Sequence, residues 1–302
     1  MAVITTGSFP KFLWPGLNAI WGNTYNEHTE EMPQLFDIHT SNMNYEEDVE
    51  EPGFGLASSV GEAGAVPYVG TSQGTLTRYT HVEYKLGFII TRAERDDNLY
   101  EKRGARRAGA LAFSFRQTEE NIGANVYNRA QTSGYNGGDG VVLSSTAHPT
   151  LNGTQSNRLA TAADASETSI EDLCIQIMNA TDTNGLKIGI MPKSLIVPPA
   201  LGPEMTRILE SQLQNDSANN AVNAIKAMGL IPQLVINHYL TDTDAFFIRT
   251  NIQDGMKWFW RVRTEFAQDG DFDTDNLKFK GYMRAIAGWS DFRGLYTNGM
   301  GA

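Results

Sequence analysis

The stretch Leu111-Ala-Phe-Ser-Phe-Arg-Gln-Thr-Glu-Glu-Asn-Ile-Gly-Ala-Asn-Val-Tyr127 decides how the rest of the chain is read. Ala108, Leu111, Ala112, Phe115, Ile122 and Val126 recur at spacings that keep one helical face apolar. Ser114, Gln117, Glu120 and Asn121 fall mostly on the other side. The helical pattern runs from about Ala93 to Ala130, inside a span from Tyr68 to His148 that has no proline. A helix of that length would extend roughly 55 Å, more than a compact domain of this size needs. Gly104, Gly109 and Gly123 each cost about 1 kcal/mol relative to alanine, so the helix needs tertiary support or bends near them.

Toward the N-terminus lie segments that cannot bury themselves: an aromatic-bearing arm (Phe9 to Trp21), an acidic run (Tyr45 to Glu51) and a Gly-rich extended stretch (Gly53 to Gly87). Such protruding parts suit a building block completed by neighbouring copies. Lys102, Arg103, Arg106 and Arg107 form a cationic band with only Glu101 close by. Like charges three and four apart repel mildly, so an acidic partner is expected. Glu46, Glu47 and Asp48, with Glu50 and Glu51, are the candidates, from the same or an adjacent subunit; the alternative is a solvated face.

Toward the C-terminus the chain reads as an α/β unit. Thr168 followed by Glu171 fits a capping box, with Ile170, Leu173, Cys174, Ile177 and Met178 at helical spacing behind it. Ile188 to Val197 is extended, Pro203 opens a helix, Ala221 to Met228 is another that stops at Gly229, and Leu234–Ile236 and Ala245–Arg249 are strands. In the tail, Leu277, Phe279, Met283, Ala285, Ala287 and Trp289 share one parity of a long half-buried strand, with Gly281 and Gly288 as candidate bulges or bends. Trp258-Phe259-Trp260 alternates similarly with Lys257, Arg261 and Arg263.

The 302 residues suffice for a sizeable core, and 41% hydrophobic content argues against disorder throughout. A net charge of −11 disfavours a protein that grips nucleic acid phosphates over a large surface. Neither a signal peptide nor a run of about 18 apolar residues occurs, so no membrane partner is expected. The single Cys174 excludes a disulfide framework and is expected in the core. Enzyme signatures are weak. The five histidines are scattered, with none paired at i, i+4, and His148 before Pro149 reads as a turn residue. The alternating carboxylates from Asp269 to Asp275 place Thr274 and Lys280 where a calcium loop needs glycine and glutamate, so a solvated turn is preferred and no metal or cofactor is expected.

At this point the residues resemble a family. Pro192-Lys-Ser-Leu-Ile-Val-Pro-Pro-Ala-Leu201 followed by a helix, then Asn223 to Gly229 and Leu234-Val-Ile236, resembles the axial domain of tailed-bacteriophage major capsid proteins. Ala287-Gly-Trp-Ser-Asp-Phe-Arg-Gly-Leu-Tyr296 resembles the final peripheral-domain strand, particularly of the Mu-like major head subunits. The order of parts is similar to the Hong Kong 97 capsid fold, an α+β architecture. The resemblance implies an N-terminal arm (1–52), an extended loop (53–90), a spine helix with part of the peripheral domain (91–141), an axial domain (142–268) and terminal peripheral strands (269–302). It implies hexamers and pentamers closing an icosahedral shell around double-stranded DNA, a virion location after assembly in the host cytoplasm, and no enzymatic role. Phe9, Phe12, Trp14 and Trp21 become intersubunit anchors, joining Glu46, Glu47, Asp48, Arg103, Arg106 and Arg107.

Two departures matter. The arm begins almost at Met1, so a separate scaffolding protein is expected beside a portal, with a decoration protein as an optional addition. No lysine lies between Gly53 and Thr80, so the lysine–asparagine weld of some relatives is not expected. An encapsulin nanocompartment shell and a two-domain α/β hydrolase are the competing readings; particle contents and sedimentation separate them.

Overall fold

The computed structural model describes residues 13–71, 73–97, 100–214, 221–271, 273–298 and 300, with the side chains of 13–15, 95 and 100–102 excluded. In chain order the elements are α1 (Leu13–Glu27), α2 (Met32–Leu35), β1 (Asp37–Thr40), β2 (Tyr45–Val49), β3 (Leu76–Thr80), β4 (Val82–Ile90), α3 (Arg92–Asp96) and α4 (Tyr100–Asn128). Then come β5 (His148–Thr150), β6 (Gly153–Gln155), α5 (Glu167–Met178), β7 (Pro192–Val197), α6 (Gly202–Glu210) and α7 (Ala224–Met228). The chain closes with β8 (Leu234–Ile236), β9 (Phe246–Thr250), β10 (Met256–Gly270), β11 (Leu277–Trp289) and β12 (Leu295–Asn298).

The helix expected from Ala93 to Ala130 is two helices. α4 has 29 residues, about 43 Å, and α3 is a separate turn of chain ahead of it. Thr91 and Glu94 cap α3 reciprocally, each side chain accepting from the other's backbone N–H. Its own sequence, Arg92-Ala-Glu-Arg-Asp-Asp97, offers no apolar stripe to hold a continuous helix. Within α4, Ala108, Leu111, Ala112 and Phe115 are buried as the spacing predicts. The three glycines are where other elements settle: Gly104 faces Leu17 and Ile90, Gly109 faces Thr24, and Gly123 faces Met32 and Phe36. So the tertiary support they require comes from β4 and from α1 and α2; the part of the expected arm from Leu13 onward is helical.

The first sheet has the order β1-β10-β11-β4, and α4 packs across it. On β11 the expected alternation holds from Leu277 through Ala285, with Lys278 and Lys280 outward. Gly281 and Gly288 are not bulges: β11 pairs with β4 in unbroken register, and the irregularities lie on β10 between Trp260 and Glu265. The glycines instead admit rings, Phe115 over Gly281 and Tyr79 over Gly288. Met256 to Trp260 is buried throughout, not alternately, because Phe36 covers Trp258 on one side and Tyr79 covers Phe259 on the other.

The second sheet, β12-β9-β7-β8, is covered on both faces. Leu195, Val197, Phe246, Ile248 and Tyr296 meet α5, α6 and α7, while Ile196, Val235, Phe247 and Leu295 join the core beneath the first sheet. That is why the last three residues of β7, Leu195-Ile196-Val197, are all apolar and do not alternate. Strand pairing crosses between the two sheets near the C-terminus. β10, with Trp258 to Trp260, belongs to the first sheet although it lies before Gln268, and the terminal β12 pairs with β9 in the second. The chain therefore passes between sheets twice after Thr250, and Gly255 and Gly294 meet backbone to backbone there, with no room for a Cβ on either. α5 also starts earlier than expected. Ser166 is its cap, exchanging hydrogen bonds with Ser169, because Ser166 has the extended backbone a cap requires. Cys174 is fully buried behind it, as expected, and burial, aided by Glu171, pushes its thiol up to about 12.

Candidate assembly surface

Residues 50–75 connect β2 to β3 and contain no helix or strand among the described residues. The segment carries apolar side chains into solvent: Leu56 is 84% exposed and Tyr68 94%, with Phe54, Val60, Val66 and Val69 also exposed. A monomer gains nothing from that display, which marks an interaction surface. At the base of the segment β2 and β3 form a two-stranded antiparallel ribbon. The sequence reading placed an acidic run and the start of an extended loop there. The pairing makes them one hairpin, anchored where Tyr79 donates to or accepts from Ser290 at 2.6 Å.

The hairpin settles the acidic run. Glu47 pairs across the strands with Arg78 at 3.3 Å, and Glu50 accepts from Thr75 and Thr183. Asp48 is 2.6 Å from Lys257, which is itself buried and also 2.6 Å from Asp254. Burial alone would lower the Lys257 pKa; Asp254 and Asp48 outweigh it and hold the ammonium above its ordinary value. Asp48 is thus committed within its own subunit. Among the described side chains none of these carboxylates reaches the cationic band of α4 within the chain, which leaves the adjacent-subunit alternative of that expectation.

The band has another partner. Arg107 grips Glu94 with two hydrogen bonds, 3.0 and 2.9 Å, and also donates to the Ile89 carbonyl at 3.1 Å. Arg103 lies 3.7 Å from the same carboxylate and stays 60% exposed. Arg107 above all holds the Glu94 carboxyl below the usual carboxylate range. Arg106 is exposed and makes no ion pair with a described residue. The band is therefore half satisfied: Arg107 locks α3 against α4, and Arg103 and Arg106 face outward. The Thr91-x-x-Glu94 spacing, a capping-box pattern, could have revealed Glu94 from sequence.

The aromatic anchors divide. Phe9 and Phe12 lie outside the described residues, as does the side chain of Trp14. Trp21 is buried in its own subunit, stacked between Tyr25 at 5.0 Å and Phe266 at 5.6 Å, so it is not an intersubunit anchor. The amphipathic turn of α1, with Leu17 also inward, puts it there.

Sequence reasoning missed a buried polar cluster between the N-terminal helices, α4 and β10. Arg116 bridges Glu119 and Glu30, both at 2.9 Å, and its guanidinium lies over the Tyr25 ring. Tyr25 donates to Glu119 at 2.6 Å, and Thr264 reaches the same oxygen. Glu120 accepts from the backbone N–H groups of Glu31 and Met32 at 3.0 and 2.8 Å. Burial pushes the Glu120 carboxyl up to about 7 despite those donors. The cluster fixes the N-terminal segment to α4.

Candidates for chemistry do not converge. His148 is buried in β5, not a turn residue; its imidazole is 2.6 Å from Asp139, 3.3 Å from Asn157, and stacked on Phe292. In the β10–β11 turn, Asp271 pairs with Lys278 at 2.6 Å and Asp275 with Arg92. Those two carboxylates point to different cations. Among the described residues no helix is long and apolar enough to cross a membrane.

A long helix laid across one sheet, a second sheet with short helices on one face and the main core on the other, and a projecting hairpin with an apolar tip define a shell-forming subunit. The chain belongs to the phage capsid protein family, whose model matches residues 75–298. Solved structures share the fold. The virus-like particle from Pyrococcus furiosus aligns with 94% of this chain and 98% of its own at TM-score 0.54 and 10% identity. The capsid of Myoviridae phage XM1 covers 86% and 88% at 0.53 and 10%, and a chain from Mycobacterium phage Patience covers 98% and 88% at 0.53 and 10%. A search of curated protein sequences gives no match. The protein is a structural phage capsid protein with the Hong Kong 97-type fold.

Proposed function

We propose that the chain forms hexamers and pentamers of an icosahedral shell that encloses double-stranded DNA after assembly in the host cytoplasm with a separate scaffolding protein and a portal. On this reading the second-sheet unit lines the capsomer centre, the first sheet and α4 form the periphery, and the hairpin overlies a neighbour. The observation that carries it is the unpartnered apolar display from Phe54 to Val69. A net charge of −11 suits a container that must not hold its polyanionic content tightly.

Arg103 and Arg106 are the cations we assign to an adjacent subunit, with Glu46 on the hairpin as the acidic counterpart and Glu47 beside it shared with Arg78. The double substitution Arg103→Glu, Arg106→Glu should lower particle yield several-fold while leaving subunit far-UV circular dichroism unchanged. Normal particles from that variant would return the band to a solvated face. The likeness to the Pyrococcus furiosus particle supports a second reading, a compartment shell holding protein cargo. Nuclease-protected DNA inside purified particles favours the phage reading, and an enclosed enzyme the other.

A further inference from the structure

His81, in the link from β3 to β4, is 5% exposed, yet neither of its ring nitrogens has a hydrogen-bond partner among the described residues. A buried imidazole left in this way is costly, because it has given up water for nothing. Two arginines stand beside it on the face of the first sheet that points away from α4. Arg284 lies between Met283 and Ala285, which are both buried in the core under α4. Arg261 is the extra residue at the β10 irregularity between Trp260 and Val262. Such a bulge re-aims the side chain it carries.

Neither arginine makes an ion pair with a described residue. Arg284 donates to the Asn44 side chain through one terminal nitrogen, while its Nε is buried without a partner among the described residues. Glu83, opposite Arg284 on β4, is engaged by Lys85 at 2.7 Å. Burial first, then Arg284, lowers the His81 pKa; Glu46 opposes them and Arg261 adds to them. Glu46 itself makes no ion pair with a described residue. The cluster is therefore two half-buried guanidinium groups and an unpartnered imidazole, rich in donors and short of an acceptor. Guanidinium groups pair best with anionic oxygens, which accept from several N–H groups at once. We infer that His81, Arg261 and Arg284 form a binding site for one oxyanion, either a phosphate ion or a carboxylate from another protein molecule. The arginines reach solvent and give the ion its route; His81 closes the site from within. This inference does not depend on the shell reading.

The test uses the full chain as unassembled subunit, with isotope-labelled histidine read by NMR and the His81 signal assigned through His81→Gln. Inorganic phosphate, added at constant ionic strength, should shift the His81 signal saturably. It should also raise the His81 titration midpoint by about one pH unit or more, since a bound anion offsets the two arginines. The signals of His28, His39, His148 and His238 should not follow. In Arg261→Gln with Arg284→Gln the saturable shift should vanish. A His81 signal that responds to phosphate no more than to sodium chloride would overturn the site, and this comparison needs no variant to fold. A saturable shift that survives in the double variant would overturn it as well. Phosphate binding seen only in Glu46→Gln would show Glu46 closing the site within the chain, which also overturns the inference. Assembled particles read by solid-state NMR separate the two sources. A His81 signal already shifted before phosphate is added marks a carboxylate from another protein molecule, and one that still answers to phosphate marks a free ion.

Discussion

Replacing Gly281 by alanine should destabilise the subunit through one contact. A Cβ built on Gly281 lies 2.1, 2.6 and 2.8 Å from three atoms of the Phe115 ring. Ordinary van der Waals contact begins near 3.4 Å, so the nearest ring atom would have to retreat by about 1.3 Å, the difference from 2.1 Å. Neither side can give easily. Gly281 sits in a central strand, paired with Phe266 on β10 and Leu86 on β4, and Phe115 is 3% exposed inside the main core. Overpacking of this kind costs about 1–3 kcal/mol. The alanine recovers some of that, roughly 0.5–1 kcal/mol, by being less flexible than glycine in the unfolded chain. Urea denaturation of the unassembled subunit, followed by tryptophan fluorescence, should place Gly281→Ala about 1–2 kcal/mol below the parent. Shortening the ring supplies the control. Phe115→Leu should be destabilising alone yet less so in the alanine background, giving a coupling well beyond the roughly 0.5 kcal/mol of independent sites. Equal stability of Gly281→Ala and the parent, or an additive cycle, would refute the close-packing argument.

Glu120 predicts a pH dependence. Burial raises its carboxyl from 4.5 to about 7, so the folded state favours the protonated form. Its contribution is complete below pH 4.5, is lost as pH rises to about 7, and is flat above that. The interval amounts to roughly 3 kcal/mol. Subunit stability measured from pH 4.5 to 8 should fall less steeply in Glu120→Gln than in the parent, and parallel curves would refute the assignment. Cys174 should resist a thiol reagent at pH 8 until the subunit unfolds, since its buried thiol titrates near 12; rapid labelling of native protein would contradict this. Because no lysine lies between Gly53 and Thr80, particles denatured under reducing conditions should run as a single monomer band, and a ladder of oligomers would contradict it.

The parts legible in the sequence were those where one periodicity persists under one environment. Ala108 to Phe115 keeps helical spacing, and Leu277 to Ala285 keeps strand parity, because each faces one core along its length. What escaped reading depended on distant partners. Leu17 and Trp21 look like an arm until Gly104 and Gly109 are seen to leave room for a helix against α4. Glu120 falls opposite the apolar stripe of the helical pattern, and only Tyr25, Thr264 and the turn into α2 make the burial of Arg116, Glu119 and Glu120 affordable. The assembly surface was half legible. The outward Arg103 and Arg106 and the charge-poor loop were visible in composition. The engagement of Asp48 by Lys257 was not, because it joins residues 209 apart in the chain.

The meeting of Gly255 and Gly294 has a mechanical consequence. Two of the chain's passages between the sheets go through one point, so turning one sheet about that point leaves both connectors at their present length, while drawing the sheets apart stretches both together. A subunit threaded in this way would act as a pivot to the extent that the core shared by the two sheets permits rotation. Strain from a shell that changes its curvature would be taken up as rotation at the two glycines, and a side chain at either would turn the pivot into a weld.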